Sequence, residues 1–178
     1  MNFKQDNPLW KSDLVGVGKS TFHAAGCLVC AVAEAAARCG TEPGIDPRAL
    51  NTRGVKAGAF VGSSAVIPLL APCAGLQAPR DRRVIAANGD EELQRAIRQA
   101  LADGWCALLH VNHGRPDGHG QHFVTAFASS AVDSAIWYAD PATGKDGKID
   151  FRSLTGPASW GFSRFRVVGA VPIGPART

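Results

Sequence analysis

The chain predicts an α+β fold in which an N-terminal helical part packs on a C-terminal antiparallel sheet. Three observations predict it. An alanine-rich apolar stretch from Cys27 to Cys39 stops at Gly40, a natural helix end. A second stretch, Asp90 to Ala102, carries a helical apolar face and stops at Gly104. Beyond Gly104 the helical period gives way to short apolar and aromatic runs divided by turn residues. Helices followed by strands is the α+β pattern.

Taken in order, the first helix spans Cys27 to Cys39, with Leu28, Val32 and Cys39 as its buried stripe. Glu42 to Pro47 is a loop, and Asp46-Pro47 opens a short helix reaching Leu50. Another short helix is expected over Ser64 to Leu70. The helix from Asp90 has Asp90, Glu91 and Glu92 in its first turn, where the dipole favours anions. Leu93, Ala96, Ile97, Ala100 and Leu101 make its apolar face. Strands are predicted at Trp105–Val111, His122–Ala128, Ala135–Ala139 and Arg164–Pro172. Asn112 to Gln121 is a Gly- and His-rich loop, and Ser129 to Ser134 is a turn.

At 178 residues the chain reads as one domain, 1–178, large enough for a substantial core. Its net charge of +4 is spread out, and Arg80-Asp81-Arg82-Arg83 is the only dense basic cluster. That cluster holds an acid and no interleaved aromatics, so no nucleic-acid partner is expected. No apolar run nears the ~20 residues of a membrane span, and no membrane insertion is expected. The N-terminus lacks the apolar core of a secretory signal. Synthesis in a cytoplasm, with release or export to a cell wall left open, is the expected localisation, and a monomer the expected state. Five cysteines form no even framework, which argues against a disulfide scaffold. Cys39, Cys73 and Cys106 read as small buried hydrophobes.

Chemistry concentrates in four places. Cys27 stands at a helix start, where unpaired backbone N–H groups and the dipole stabilise a thiolate. Gly26 before it suits a close approach of substrate, and the Cys27 amide can serve an oxyanion. His122 opens a strand, so its ring can meet a thiol while a carboxylate holds the other nitrogen. His119 is its competitor. Asp140 ends an aromatic strand ahead of Pro141 and is placed to fix the histidine tautomer, although Asp-Pro alone also reads as a turn starter. Gln5, upstream of the cysteine, is an amide able to donate to an oxyanion.

Rival constellations share these residues. Cys27-Leu-Val-Cys30 is a CxxC motif at a helix N-terminus, but no apolar strand leads into it as in a βαβ redox site. His110, His113, His119 and His122 fall close together and, with the CxxC pair, suggest zinc, but no second CxxC exists. The acidic loop Asp140 to Asp150 has lysines among its would-be calcium ligands and lacks the terminal glutamate. No metal or cofactor is therefore expected.

The motifs together resemble the bacteriocin-leader-processing cysteine peptidases and their looser relatives in the papain-like superfamily. Lys4-Gln5-Asp6-Asn-Pro-Leu-Trp10, Gly26-Cys27, His122-Phe123-Val124 and Tyr138-Ala-Asp140-Pro141 match the family's motifs in order. Thr52 to Gly89 matches none of them, and Cys30 stands where many relatives have a hydroxyl or small residue. The resemblance implies a papain-like cysteine peptidase fold without cofactor. It implies Cys27 as nucleophile, His122 as general base and acid, Asp140 as orienting residue and Gln5 as oxyanion donor. The function expected is amide hydrolysis in a peptide or a peptidoglycan stem or bridge peptide, as in a phage-type endolysin. The alternative is an inactive papain-like module that binds or inhibits a peptide.

Overall fold

A computed structural model of the chain describes residues 2–79, 84–85, 90–112, 121–130, 134–150 and 166–175. The helices are α1 (Phe22–Ala25), α2 (Cys27–Cys39), α3 (Pro47–Lys56), α4 (Ile67–Leu70, followed by a 3₁₀ turn Ala71–Ala74) and α5 (Asp90–Ala102). The strands are β1 (Phe60–Val61), β2 (Ser64–Ala65), β3 (Leu76–Gln77), β4 (Val84–Ile85), β5 (Cys106–Asn112), β6 (Gln121–Ser130), β7 (Ala135–Asp140), β8 (Lys145–Asp150) and β9 (Arg166–Pro175). The α+β expectation, with helices ahead of an antiparallel sheet, agrees with this order.

The main sheet runs β3-β9-β5-β6-β7-β8, with β4 also pairing β9, and every pairing is antiparallel. From β5 to β8 it is a meander, and β9 returns to the free side of β5. The centre of the sheet is buried on both faces, which explains the apolar run Cys106-Ala-Leu-Leu109 in β5. Cys106 and Leu108 enter the core around α2, whereas Ala107, Leu109 and Val111 enter the one around Leu93 and Ile97 of α5. Each such fully buried aliphatic side chain contributes about 1.5–3 kcal/mol.

α2 is the central helix. Val29 through Ala36 are all buried, and the alanines let its backbone come close to the sheet. The helix is thus covered on more sides than the stripe of Leu28, Val32 and Cys39 predicts, and Leu28 and Cys39 are only half-buried. It stops where predicted, with Gly40 left-handed at φ 69° and its N–H bonding back to the Ala36 and Ala37 carbonyls. On β6, buried Thr125 donates its hydroxyl to the Ala31 carbonyl at 2.7 Å. Glu34, also buried, accepts from Arg38 at 2.7 Å and from the Phe3 N–H at 3.3 Å. Arg38 continues to Asp146 on β8 at 3.0 Å and lies over the Phe127 ring. A charge this deep is tolerable only when paired in this way.

The predicted helix from Asp46 runs past Leu50 to Lys56, with the Asp46 carboxylate capping the Ala49 N–H at 2.7 Å. The helix expected over Ser64–Leu70 is shorter: Ser64 and Ala65 pair with Phe60 and Val61 as a hairpin, and helix begins only at Ile67. Pro68 and Pro72 sit in the first turns of α4 and the 3₁₀ turn, where a missing N–H costs nothing. The segment Asp140 to Asp150 is not an acidic loop but a tight turn and then β8. Within the predicted loop Asn112–Gln121, both end residues belong to strands, and 113–120 lie outside the described residues. So do Arg80 to Arg83, residues 131–133 of the predicted turn, and residues 164–165 at the start of the last predicted strand. Among the described residues, no helix is long and apolar enough to cross a membrane.

Candidate active site

Three elements converge on one side chain, His122. It stands second in β6 and is almost fully buried, and its Nε2 lies 2.7 Å from Asp140 Oδ1 at the end of β7. A carboxylate can only accept, so Nε2 carries the hydrogen. Cys27, the first residue of α2, lies near enough to the same ring to raise its pKa. With Nε2 committed to Asp140, Nδ1 is the nitrogen left for the sulfur. Cys27, His122 and Asp140, predicted separately from residues far apart in the chain, are therefore in one constellation.

The electrostatics follow from these contacts. Burial disfavours the imidazolium, yet Asp140 and Cys27 outweigh it and push the His122 pKa up to about 9. Burial acts the other way on Asp140, but bonds from His122, the Ala142 N–H and the Thr143 hydroxyl hold its carboxyl below the usual range. The Ala142 N–H lies 2.8 Å from Oδ1 and the Thr143 Oγ1 3.2 Å from Oδ2. Neither residue was foreseen as part of the site. The signal was present in Asp140-Pro-Ala-Thr, since an aspartate that accepts from the N–H two residues on is a known turn device.

Cys30, the other thiol of the CxxC pair, is fully buried. Burial, with Cys27 and Glu34 nearby, drives its thiol well above the ordinary value. Cys27 is only half-buried and belongs to the first helical turn, whose N–H groups have no intrahelical acceptor. The glycine before it has a local reason different from the one expected. Gly26 is in an ordinary helical conformation, and a Cβ there would come within 2.6 Å of the Phe22 ring. Its smallness serves the packing of Phe22 under the start of α2.

Gln5 is tied to both sides of the constellation. Its backbone N–H bonds to the Pro141 carbonyl at 2.9 Å, next to Asp140. Its side-chain Nε2 bonds to the His23 carbonyl at 2.9 Å, four residues before Cys27. One Nε2 hydrogen is left over, and Oε1 is buried with no hydrogen-bond partner among the described residues. Trp10, half of the predicted Gln-to-Trp motif, supports this segment: its indole N–H bonds to the Lys4 carbonyl at 3.0 Å.

Of the histidine cluster, only His110 and His122 fall within the described residues. His110 stacks on Phe123, its cross-strand partner, with ring centroids 4.7 Å apart. His113 and His119 lie outside the described residues. Among the described residues, no three histidine, cysteine or acidic side chains are grouped as metal ligands. Neither a protein-family model nor a curated protein matches this chain.

Proposed function

We propose that the protein is a papain-like cysteine hydrolase that cleaves an amide bond in a peptide, or in a peptidoglycan stem or bridge peptide. One observation carries the reading: a buried imidazole held at 2.7 Å by an aspartate has a helix-start cysteine beside it that, with the aspartate, raises its pKa. A positively charged histidine beside a thiol is the pairing by which a thiol hydrolase delivers and recovers a proton. Structural histidines have no need of both partners.

In the proposed reaction the Cys27 sulfur attacks the amide carbonyl carbon, and the carbonyl electrons move onto oxygen. The Cys27 N–H and the spare Nε2 hydrogen of Gln5 receive that oxyanion. His122, still protonated, gives its proton to the leaving nitrogen as the C–N bond breaks, leaving a thioester on Cys27. Neutral His122 then takes a proton from water, which attacks the thioester and releases the acid. Asp140 keeps the ring in the tautomer both steps need. The resemblance to leader-processing peptidases supports an extended peptide as substrate, and the same chemistry serves a wall peptide.

The test is turnover of purified peptidoglycan and of a mixed peptide library, read by mass spectrometry, with Cys27→Ala alongside. New termini formed by the wild type and absent with the variant support the reading. Cleavage that survives Cys27→Ala, or iodoacetamide labelling of Cys27 no faster than of an unfolded thiol, overturns it.

A further inference from the structure

A pair of thiols outside the candidate site has no part in the proposed hydrolysis. Cys39, the last residue of α2, has its Sγ 3.7 Å from the Sγ of Cys106, the first residue of β5. The two are 67 positions apart in sequence, so the fold alone brings them together. Cys106 is buried, whereas Cys39 is half-buried and within reach of a small reagent. Both are free thiols. A disulfide needs its sulfurs ~2.05 Å apart, a closure of roughly 1.7 Å from the present contact. Both residues sit at element ends, Cys39 against left-handed Gly40, where side-chain rotation and a small backbone shift can supply that movement.

The geometry points to Cys39 and Cys106 as a redox-sensitive pair that closes to a disulfide, stapling the far end of the nucleophile helix to the central strand of the sheet. The step is ordinary thiol–disulfide exchange with a small disulfide such as oxidised glutathione. The Cys39 thiolate attacks one glutathione sulfur and expels the other half as a thiolate. Cys106 then loses its proton and attacks the Cys39 sulfur, expelling the second glutathione. Two protein thiols are oxidised and one disulfide is reduced to two thiols. The two sulfurs are suited to different parts of this sequence. Its hydrogen bond with Cys106 holds the Cys39 thiol below the ordinary value, making it the entry point. That bond, then burial and the charge of Cys39, drive Cys106 upward. The first and last of these are relieved once Cys39 is capped.

This pair is independent of the hydrolase reading and its test needs no substrate. The full-length protein is incubated with oxidised glutathione, alkylated, digested and mapped by mass spectrometry, with melting followed in parallel. The expected product is a Cys39–Cys106 cross-link two hydrogens lighter than the separate peptides. It raises Tm by roughly 10 °C for a loop of this length, and dithiothreitol reverses it. Cys39→Ser, at a half-buried position that preserves the fold, abolishes both the cross-link and the shift. The proposal is overturned if Cys39 and Cys106 both stay alkylatable. It is equally overturned if Cys39 stops at a glutathione adduct, or if Cys27–Cys30 is the bond that forms.

Discussion

The two ends of α2 each present a cysteine, and the two thiols live in different chemistry. Cys27 opens the helix beside a charged imidazole, and Cys39 closes it beside another thiol. Twelve residue steps at 1.5 Å each separate them by ~18 Å. At the first end, the sulfur stands among N–H groups without intrahelical acceptors, and His122 offers a proton to exchange. At the second, the hydrogen bond with Cys106 holds the Cys39 thiol below its ordinary value, and the counterpart of His122 is a sulfur able only to share a hydrogen or a bond. The residue type is constant while the partner separates the proposed acyl transfer at Cys27 from the proposed disulfide exchange at Cys39.

The sharpest break of this comparison removes one sulfur at a time. Cys27→Ala is expected to abolish hydrolysis and the iodoacetamide labelling that blocks it. Cys39→Ala is expected to leave both within about twofold, since surface-proximal changes outside a site cost little. Equal losses in the two variants would mean that the helix start has no special chemistry. Next in size is Asp140→Asn. The amide can still meet His122 but no longer opposes its charge, and kcat/KM is expected to fall about 10²- to 10⁴-fold. Steady-state kinetics on a cleaved peptide reads this, and an unchanged rate would remove Asp140 from the mechanism.

The third effect is in pH. Because the folded-state pKa of His122 is raised from 6.5 to about 9, the imidazolium persists through neutrality and is lost as pH passes 9. Activity is expected to be level up to about pH 8, then to fall about tenfold per unit above 9, as the proton for the leaving nitrogen disappears. Stability shares the sign. A raised histidine pKa contributes fully below 6.5, and that contribution disappears as pH rises through about 9. Cys39 alkylation should show no matching limb, which sharpens the contrast between the two ends. An alkaline limb in activity near 6.5 instead would show that Asp140 and Cys27 do not hold the ring.

Much of this was readable from residue pattern, and the exceptions have physical causes. α2 and α5 carry their own periodicity and their own stops at Gly40 and Gly104, so local sequence sufficed. β5 to β7 are apolar enough to announce themselves. β8 is not: Lys-Asp-Gly-Lys-Ile-Asp is polar because it is the edge strand, and its pairing with β7 makes it a strand. That Cys27, His122 and Asp140 could stand in one proposed site was legible because each lies at an element end with a residue type suited to that task. The Cys39–Cys106 contact was not, since it depends on how a helix end meets a strand start 67 positions later. Gln5 could be named from its motif. Its anchoring to Pro141 and His23 could not, because both acceptors are backbone carbonyls, which carry no sequence signature.

Thr125 offers the smallest effect and the most specific one. It sits three residues after His122 on β6, and its hydroxyl bonds to the carbonyl of Ala31, one helical turn after Cys27. This buried bond ties β6 directly to α2 one turn beyond the Cys27–His122 contact, and so helps to fix how far α2 slides along β6. Thr125→Val keeps the volume and removes the hydroxyl. Thr125→Ser keeps the hydroxyl and removes a methyl. Both are expected to cost about 1 kcal/mol of stability, one through a lost hydrogen bond and the other through lost packing. Only the valine variant frees the helix to shift, and it should lower kcat by about tenfold with little change in KM, while serine keeps the wild-type rate. If the two variants slow equally, Thr125 contributes packing alone, and the alignment of Cys27 with His122 must come from the buried faces of α2 and β6 rather than from this bond.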